Sequence, residues 1–310
     1  MPLESDPELS SPLPEGYRSG FIGIIGKTNV GKSTLLNQML GQKVSIVSPR
    51  PQTTRQRILG ILTRPTLQAV FIDTPGWHEP EHPLGHQLMR VAQSIGDEAD
   101  VLLVVIDARS GLTREDRWVF DHARSLKLKR PPILAVNKVD LVKKPLILPL
   151  LQECARERLF EEQVPISAAT GENVDRLLEV LVERLPMGPR WYEAGQVTDQ
   201  SSEQLIREMI REQVLLATRQ EVPHAVAVLI EQIETKETVT VIHAAVLVER
   251  PGQKAIVIGK EGSMLKQIGQ ASREALERWL GRRVYLQLWV KVVENWRSNR
   301  EILRELGYEG

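Results

Sequence analysis

The sequence predicts an α/β domain with a mostly parallel sheet and helices on both faces, followed by a smaller α+β domain. Apolar runs of strand length alternate with helical segments through the first half of the chain, and this alternation is typical of a parallel sheet that is covered on both sides. The first apolar run, residues 21–25, leads through a glycine-rich turn directly into a helical segment. After a polar stretch with two prolines at 186–202, the second half has a different order of elements, helix–strand–strand–helix–helix–strand.

Composition places the chain among ordinary globular proteins. Its 310 residues are enough for two domains, and 42% hydrophobic with 26% charged residues allow a sizeable core. The formal net charge is zero, so any surface that binds an acidic partner has to be local. Cys154 is the only cysteine, which excludes an intramolecular disulfide and fits a reducing cytoplasm. No apolar run in the sequence approaches the roughly 18 residues of a membrane span.

The glycine-rich turn at 26–33 has the G-x-x-x-x-G-K-S spacing of a phosphate-binding loop. Its position between a strand and a helix directs successive backbone N–H groups and the positive end of the helix dipole towards one anion. In this pattern the ammonium group of Lys32 reaches the β- and γ-phosphate oxygens, and the hydroxyl of Ser33 binds Mg²⁺. The residues that we expect to contact the nucleotide here are Gly26, Lys27, Thr28, Asn29, Val30, Gly31, Lys32, Ser33 and Thr34.

Two further segments are placed to sense the γ-phosphate and the metal ion. The polar loop after the first helix contains two neighbouring threonines, of which Thr54 is the candidate and Thr53 the reserve, because a threonine of such a loop contacts Mg²⁺ and the γ-phosphate in nucleotide switches. A later strand ends in a D-x-x-G sequence that begins at Asp73 and finishes at Gly76. The carboxylate of Asp73 can hold Mg²⁺ through water, and the N–H of Gly76 can meet the γ-phosphate.

The sequence N-K-V-D at 137–140 follows another buried strand and predicts guanine specificity. The carboxylate of Asp140 can accept hydrogen bonds from both N1–H and the N2 amino group of guanine, a pair that adenine does not offer. Asn137 would tie this loop to the phosphate turn, and the stem of Lys138 would cover the plane of the base. Three small residues after the next short strand have backbone N–H groups that could meet guanine O6, namely Ser167, Ala168 and Ala169.

The order and spacing of these motifs resemble the translation-factor-like GTPases, which implies GTP and GDP as ligands and Mg²⁺ as the metal ion. Ras-like enzymes orient the attacking water with a glutamine after D-x-x-G. This chain has Trp77 there, which has no acceptor, so we expect slow hydrolysis or help from another group or ion. Asn29 stands where potassium-activated GTPases hold a monovalent cation, and this similarity implies K⁺ near the phosphates. The catalytic candidates are Lys32, Thr54, Gly76 and Asn29, and the metal-binding candidates are Ser33, Thr54 and Asp73.

The second half of the chain carries a G-x-x-G loop at 259–262, between an apolar segment and a helix. Within the helix–strand–strand–helix–helix–strand order, this loop is typical of a type II KH domain, where it holds the backbone of a single RNA strand. Basic residues around it give local positive charge to a chain that is neutral overall, whereas Glu261 places a carboxylate beside the expected phosphates. The candidate RNA-binding residues are Gly259, Lys260, Glu261, Gly262, Lys266 and Arg273.

A phosphate-loop GTPase followed by this KH arrangement resembles the Era family over about residues 21–293. The resemblance rests on the strings Asn-Val-Gly-Lys-Ser at 29–33, Pro-Gln-Thr-Thr-Arg at 51–55, Asp-Thr-Pro-Gly at 73–76, Ile-Gly-Lys at 258–260 and Leu-Trp-Val-Lys-Val at 288–292. Three positions depart from the family pattern: Thr28 stands where proline is usual, Gln56 where histidine is frequent, and Glu261 where the loop has glycine or a neutral residue.

The resemblance implies a GTP-switched factor for the small (30S) ribosomal subunit, whose KH domain holds single-stranded RNA near the 3′ end of 16S ribosomal RNA during maturation. It also implies a cytoplasmic protein with some peripheral contact at the inner face of the cell membrane, and we expect a monomer. The expected divisions are a disordered leader at 1–18, the GTPase domain at 19–185, a linker at 186–202, the KH domain at 203–295 and a C-terminal tail at 296–310.

Two other functions remain open from the sequence. A GTPase of the tRNA-modification type would need a separate folate or cysteine site, and the sequence shows neither. A membrane-tethered GTPase with an adaptor domain that does not bind RNA would make the G-x-x-G loop irrelevant to nucleic acid. Binding of short single RNA strands, with a substitution in the loop as control, separates this function from the KH interpretation.

Overall fold

The computed structural model describes residues 13–50, 53–76, 95–218 and 222–307. The chain divides into two compact units. Of the described residues, the N-terminal unit contains 13–45, 54–76 and 95–199, and the C-terminal unit contains 46–50, 53, 200–218 and 222–307. A short piece of the first half of the chain therefore belongs to the C-terminal unit.

The described part of the N-terminal unit alternates strands with helices, as the apolar pattern predicts. Its strands are β1 (Arg18–Ile25), β2 (Ile58–Arg64), β3 (Leu67–Asp73), β4 (Val101–Asp107), β5 (Ile133–Asn137) and β6 (Glu162–Pro165). Its helices are α1 (Lys32–Leu40), α2 (Ile95–Glu98), α3 (Arg114–Ser125), α4 (Ile147–Arg156) and α5 (Val174–Glu183), with short 3₁₀ turns at Val139–Leu141 and Lys144–Leu146.

These strands form one sheet in the order β2-β3-β1-β4-β5-β6. The β1–β3, β1–β4, β4–β5 and β5–β6 pairs are parallel, and β2 runs antiparallel to β3. Successive strand residues point to opposite faces, so Ile24 packs in one core cluster with Leu35 of α1, and Val104 packs in another with Phe120 of α3. The predicted mostly parallel sheet with helices on both faces is confirmed.

The first part of the expected linker, up to residue 199, forms hydrogen bonds with β2, at the edge of this sheet, and with β3. β2 is an edge strand, and its backbone groups need partners. Ile61 N–H donates to the carbonyl of Val197 at 2.9 Å, and Leu59 N–H donates to Asp199 at 3.1 Å. The side chain of Gln68 accepts the N–H groups of Trp191 and Tyr192 at 2.7 and 3.0 Å. Residues up to 199 thus belong to the N-terminal unit, beyond the boundary expected at 185.

The C-terminal unit has the element order that the sequence predicts. Its helices are α6 (Ser202–Ala217), α7 (Val222–Ala225), α8 (Pro251–Ile258), α9 (Ser263–Leu280) and α10 (Arg300–Glu305), with 3₁₀ turns at Lys260–Gly262 and Trp296–Ser298. Its strands are β7 (Ala227–Thr235), β8 (Val239–Val248) and β9 (Arg283–Val292). β7 and β8 are antiparallel and β9 lies parallel to β8, so the predicted α+β class is confirmed. α6 begins with a capping box between Ser201 and Gln204.

The described ends of the chain differ from the expected leader and tail. Tyr17 is buried and Arg18 opens β1, so part of the expected leader belongs to the folded unit. In the expected tail, Trp296 is fully buried and its indole N–H donates to the carbonyl of Ala225 at 2.8 Å. Burial of the Trp296 side chain therefore attaches this part of the chain to the C-terminal unit. Within the described ranges, no helix combines the length and the apolar character needed to cross a membrane.

Candidate nucleotide site and RNA-binding loop

The predicted nucleotide residues gather at the carboxyl edge of the parallel sheet. The phosphate turn, residues 26–33, follows β1. The last residues of β3, β4 and β5 are Asp73, Asp107 and Asn137. Carboxyl ends of parallel strands meet at one edge, which is where α/β sheets bind ligands. The fold alone therefore brings together residues that are more than 110 positions apart in the sequence.

The phosphate turn has the backbone geometry that its two glycines make possible. Gly26 has φ +154° and Gly31 has φ +100°, and Gly31 is the N-cap of α1. A Cβ atom on Gly31 would lie 2.4 Å from the amide nitrogen of Asn137, and one on Gly26 would lie 2.4 Å from the carbonyl oxygen of Val105. Both positions therefore need glycine for steric and conformational reasons.

The side chain of Lys32 is buried and hydrogen-bonded to the backbone of the phosphate turn. Its Nζ donates to the carbonyls of Gly26 and Lys27, both at 3.0 Å. Burial lowers the pKa of Lys32 to about 8, partly offset by the nearby charge of Asp73, and burial raises the pKa of Asp73. A buried ammonium group of this kind gains strongly from an anion placed beside it, which suits the contact with phosphate expected of Lys32.

Lys27 has a different role from the one expected from the motif. Its ammonium group points to the start of α3, where Nζ lies 2.9 Å from Asp116 Oδ2 and 2.8 Å from Thr113 Oγ1. This buried ion pair fixes the phosphate turn to α3, and only the backbone of Lys27 remains in the turn. Thr28 lies beside Gly76, because a Cβ on Gly76 would be 2.7 Å from Thr28 Cα.

Of the three expected metal-binding residues, Thr54 and Asp73 both lie within hydrogen-bond distance of Ser33. Ser33 Oγ is 2.7 Å from Asp73 Oδ2 and 2.9 Å from Thr54 Oγ1. Asp73 Oδ1 is buried and makes no hydrogen bond. Hydroxyl and carboxylate oxygens are the ligands that Mg²⁺ prefers, and Asp73 has one carboxylate oxygen without a hydrogen-bond partner. The residues therefore fit Mg²⁺.

Ser45 is a member of this cluster that the sequence did not indicate. Its Oγ lies 3.1 Å from Asp73 Oδ2, and its carbonyl accepts the side-chain amide of Asn37 at 2.7 Å. Asn37 also accepts the N–H groups of Val44 and Ser45. A serine within a polar loop carries no pattern that identifies such a contact, so only the fold reveals it.

The base-recognition loop is tied to the phosphate turn as expected. The amide of Asn137 donates to the Val30 carbonyl at 2.8 Å, and its oxygen accepts the N–H of Ala168 at 2.9 Å. The ammonium group of Lys138 donates to the carbonyl of Asn29 at 2.6 Å and to Asp107 at 2.7 Å. Asp140 is exposed in a 3₁₀ turn, where its carboxylate is open to a ligand.

In the segment 167–169, which is expected to meet guanine O6, two of the three backbone N–H groups already form hydrogen bonds within the protein. Ser167 N–H donates to the carbonyl of Glu172 at 3.0 Å, and Ala168 N–H is held by Asn137. Ala169 is exposed. Of these three residues, Ala169 is therefore the one best placed to offer its N–H to a base, and Ser167 and Ala168 support it.

Other expected residues are placed as follows. Thr34 lies half-buried in the first turn of α1. Asn29 is exposed, with its backbone in the left-handed region at φ 62°. Trp77, and Pro51 with Gln52 of the loop before Thr54, lie outside the described residues.

The G-x-x-G loop joins α8 to α9 through three residues with positive φ. The values are +72° at Gly259, +52° at Glu261 and +77° at Gly262, which is the N-cap of α9. A Cβ on Gly259 would lie 2.6 Å from Met264 Cβ, whereas nothing lies within 4 Å of the Cβ position of Gly262. The backbone of the loop is thus open at Gly262, at the positive end of a helix of 18 residues.

The charged candidates of the loop are exposed. Lys260, Glu261, Lys266 and Arg273 all have exposed side chains. Lys266 lies in the first turn of α9, and Arg273 lies roughly 10 Å further along the axis at 1.5 Å per residue. The loop and the first turn form the compact part of the candidate surface, and Arg273 extends it along the helix.

Two protein families match the chain. The family described as 50S ribosome-binding GTPase matches residues 21–138, and the KH domain family matches residues 221–297. The GTPase Era of Heliobacterium modesticaldum is 45% identical over 296 residues, which are 95% of this chain and 98% of that protein.

Two solved Era structures have a similar fold. Era in complex with MgGDPNP and nucleotides 1506–1542 of 16S ribosomal RNA has a TM-score of 0.90 at 41% identity, over 95% of this chain and 100% of that chain. A variant of Aquifex aeolicus Era bound to GDP·AlF4⁻ has a TM-score of 0.89 at 41% identity, over 94% of this chain and 100% of that chain.

Proposed function

Because this chain belongs to the Era family of GTPases, we propose that it is a GTP-hydrolysing switch that binds the 3′ region of 16S ribosomal RNA and assists the maturation of the small (30S) ribosomal subunit. One observation carries the proposal. An Era structure that matches 95% of this chain holds MgGDPNP and nucleotides 1506–1542 of 16S ribosomal RNA in one complex. Candidate residues for both types of binding lie in this chain, at the sheet edge of one unit and in the G-x-x-G loop of the other.

The phosphates would be held mainly by the main chain of the turn at 26–33. The first N–H groups of α1 follow the N-cap Gly31 directly, and the ammonium group of Lys32 lies against the carbonyls of the same turn. On binding, Lys32 would exchange its two carbonyl partners for phosphate oxygens. Ser33, Asp73 and Thr54 would hold Mg²⁺, which would supply positive charge to the phosphates.

Selection of guanine would depend on Asp140. The carboxylate accepts two hydrogen bonds from guanine and none of the same kind from adenine. The loop that carries it is fixed by Asn137, which contacts both the phosphate turn and Ala168. A rigid loop leaves the wrong base with unpaired polar groups, and this mismatch is the source of discrimination.

Hydrolysis would use the N–H of Gly76 and the charge of Lys32 on the γ-phosphate. Asn29, at the exposed tip of the turn, would hold K⁺ near the phosphates and supply the positive charge that other GTPases receive from an arginine. Replacing K⁺ by Na⁺ in a turnover assay should slow hydrolysis about tenfold. Equal turnover in the two salts would remove K⁺ from the proposal.

RNA would be held at the exposed backbone around Gly262, with Lys260 and Lys266 beside it. Such loops bind the backbone of a single strand, and neighbouring cations set the affinity and its dependence on salt. We place the protein in the cytoplasm, where this RNA is matured. Contact with the inner face of the cell membrane and a monomeric state stay predictions from the family resemblance.

A function of the tRNA-modification type has weaker support. It would need a reactive cysteine or a separate folate site. Cys154 is fully buried, and burial raises the pKa of its thiol to about 12, so the reactive thiolate is not formed at neutral pH.

The proposal is tested by the affinity for a labelled RNA with the 3′-terminal sequence of 16S ribosomal RNA. The test variant is Gly262→Asp, and its matched control is Gly281→Asp at the other end of α9. Both glycines have φ near +70° (+77° and +65°) and no atom within 4 Å of the Cβ position. Gly262→Asp should weaken RNA binding at least tenfold, because it sets a carboxylate against phosphate, whereas Gly281→Asp should leave affinity nearly unchanged.

RNA binding that is equal in both variants would remove the loop from the proposal. GTP binding, measured on the same samples, is expected to be unchanged in both.

A further inference from the structure

Helix α6 buries charged side chains that the nucleotide and RNA sites do not use. Arg207, Arg211 and Glu212 are 7%, 0% and 4% exposed. Buried charges are costly unless they are paired and hydrogen-bonded, so their partners indicate what they stabilise. Arg211 and Glu212 both contact the backbone of a segment at 46–53, which belongs to the same compact unit as α6.

The two ends of this segment are fixed to one turn of α6. The N–H of Val47 donates to Glu212 Oε1 at 2.8 Å, and the guanidinium of Arg211 donates to the carbonyl of Thr53. Arg211 Nε is itself held by Glu208 Oε1 at 2.8 Å. Ile46 packs in the same hydrophobic cluster as Val214 and Leu215 of α6.

Hydrogen bonds also join Ser48, Arg50 and Thr53 to one another within this segment. Thr53 Oγ1 donates to the carbonyl of Arg50 at 2.7 Å, and the hydroxyls of Ser48 and Thr53 lie 2.7 Å apart. Arg50 Nη2 reaches the carbonyl of Thr218 at 2.8 Å. These contacts fix the carbonyl of Thr53 relative to α6.

Thr53 is bonded to Thr54, the candidate γ-phosphate sensor. A peptide unit is planar, so the direction of the Thr53 carbonyl also sets the direction of the Thr54 N–H and the start of its backbone. Thr54 is 7% exposed, and its hydroxyl lies 2.9 Å from Ser33 Oγ. The hydrogen bond from Arg211 therefore acts on the residue next to the metal-binding cluster.

We propose that Arg211 is a positioning residue for GTP binding and hydrolysis: it fixes the Thr53–Thr54 peptide so that the Thr54 hydroxyl can serve the triphosphate-bound site. The inference rests on the proposed role of Thr54.

The test variant is Arg211→Lys in the full-length protein. Lysine keeps the positive charge beside Glu208 but lacks the planar fork that binds Glu208 and the Thr53 carbonyl together. The matched control is Arg207→Lys, one turn earlier on α6, where the buried guanidinium donates to the carbonyl of Leu306 at 2.5 Å. Both variants alter a buried arginine–carbonyl bond, but only one bond leads to Thr54.

Affinities for Mg·GDPNP and Mg·GDP are measured with fluorescent analogues, together with kcat, KM and thermal stability. Arg211→Lys should weaken Mg·GDPNP binding about tenfold, the size of one charged hydrogen bond, and lower kcat, with Mg·GDP binding retained because γ-phosphate contacts order this loop. Arg207→Lys should change neither affinity. In a Thr54→Ala background, Arg211→Lys should cause no further loss.

Equal losses for Mg·GDPNP and Mg·GDP, or the same losses in Arg207→Lys, would mean a purely structural role and overturn the inference. Full Mg·GDPNP affinity in Thr54→Ala would overturn the role of Thr54 and the inference with it. Failure of the proposed function as a whole is distinguishable, because wild-type protein would then bind neither nucleotide.

Discussion

The phosphate turn and the G-x-x-G loop both place a glycine with positive φ at the N-cap of a helix, but they differ in how closely the surrounding structure encloses that glycine. At Gly31 an added Cβ would meet Asn137 at 2.4 Å, whereas at Gly262 it would meet nothing within 4 Å. The phosphate turn is largely enclosed, and side chains at the ends of β5 and β3, Asn137 and Asp73, contact it. The G-x-x-G loop is an open backbone surface with exposed lysines.

The difference shows how the same local feature, a glycine with positive φ at a helix N-cap, can serve two kinds of ligand. An enclosed turn fixes donors in advance, so it discriminates among small ligands by the groups that it leaves unpaired. An open loop accepts a flexible strand, and its affinity depends on screened charge rather than on buried hydrogen bonds. Substitutions in the nucleotide site should therefore have large effects that depend little on salt, and substitutions in the loop smaller effects that depend on salt.

The largest effect is expected for Asp140→Asn. The amide cannot accept from both N1–H and N2 of guanine, so GTP affinity should fall at least a hundredfold, corresponding to the loss of two hydrogen bonds to a charged group. Xanthosine triphosphate, which offers an acceptor at position 2, should become the preferred ligand. Competition binding of the two nucleotides measures this change. Retained preference for GTP would refute the role assigned to Asp140.

A paired substitution tests the difference in enclosure directly. Gly31→Ala adds a methyl group against Asn137 at positive φ, so the free energy of unfolding should fall by about 3 kcal/mol. Gly262→Ala also places a side chain at positive φ, but without the clash, and should cost about 1 kcal/mol. Urea unfolding, followed for each variant, gives both values. Equal losses at the two glycines would contradict the comparison.

The pH dependence of nucleotide binding should follow Lys32. Its pKa is lowered to about 8 in the protein without ligand, and phosphates beside it favour the charged form and raise that pKa. Binding above pH 8 therefore takes up a proton, and the affinity should fall by up to about tenfold per pH unit. Below pH 8 Lys32 is already charged, so its contribution to binding is constant.

Calorimetry in two buffers of different ionisation enthalpy detects this proton, with pH 7 as the control. Binding at pH 9 without proton uptake would show that Lys32 does not meet phosphate. The sign for folding is the opposite. The unfolded chain, with an ordinary lysine pKa, binds more protons than the folded chain between pH 8 and 10.5, so the stability contribution of Lys32 rises with pH through that window.

The smallest effect is expected for Glu261→Gln. Removing a carboxylate from the exposed loop should raise RNA affinity about threefold at low salt and less at high salt. Glu237→Gln is a matched control, since Glu237 is also an exposed turn residue of the same unit. The salt dependence of RNA binding in both variants measures the effect. Unchanged affinity in Glu261→Gln would place the RNA phosphates away from this side chain.

Spacing and strand position were enough to predict the fold class of both units and the residues grouped at the sheet edge. Asp73 and Asn137 end parallel strands, and the edge at which they meet follows from topology alone. Ser45 and Arg211 have no such signal, because a serine in a polar loop and an arginine on an amphipathic helix are ordinary in a sequence. Their roles arise from contacts that only the folded chain creates.

Polar composition also gave no indication of the contacts that the expected linker makes. The stretch that contains Trp191 and Val197 looks like a linker because it is rich in turn-forming and polar residues. Its backbone instead satisfies the edge strand β2, a need that no local pattern in those residues reveals. Trp296 similarly belongs to the folded unit because its indole has a buried partner at Ala225.

If the turn at 26–33 and the loop at 137–140 together bind a guanine nucleotide, isothermal titration of the full-length protein in the presence of Mg²⁺ should distinguish GDP and GTP from ATP. We expect saturable heat with GDP and GTP at one site per chain, and none with ATP. Absence of heat with both guanine nucleotides, or equal binding of ATP, would contradict it.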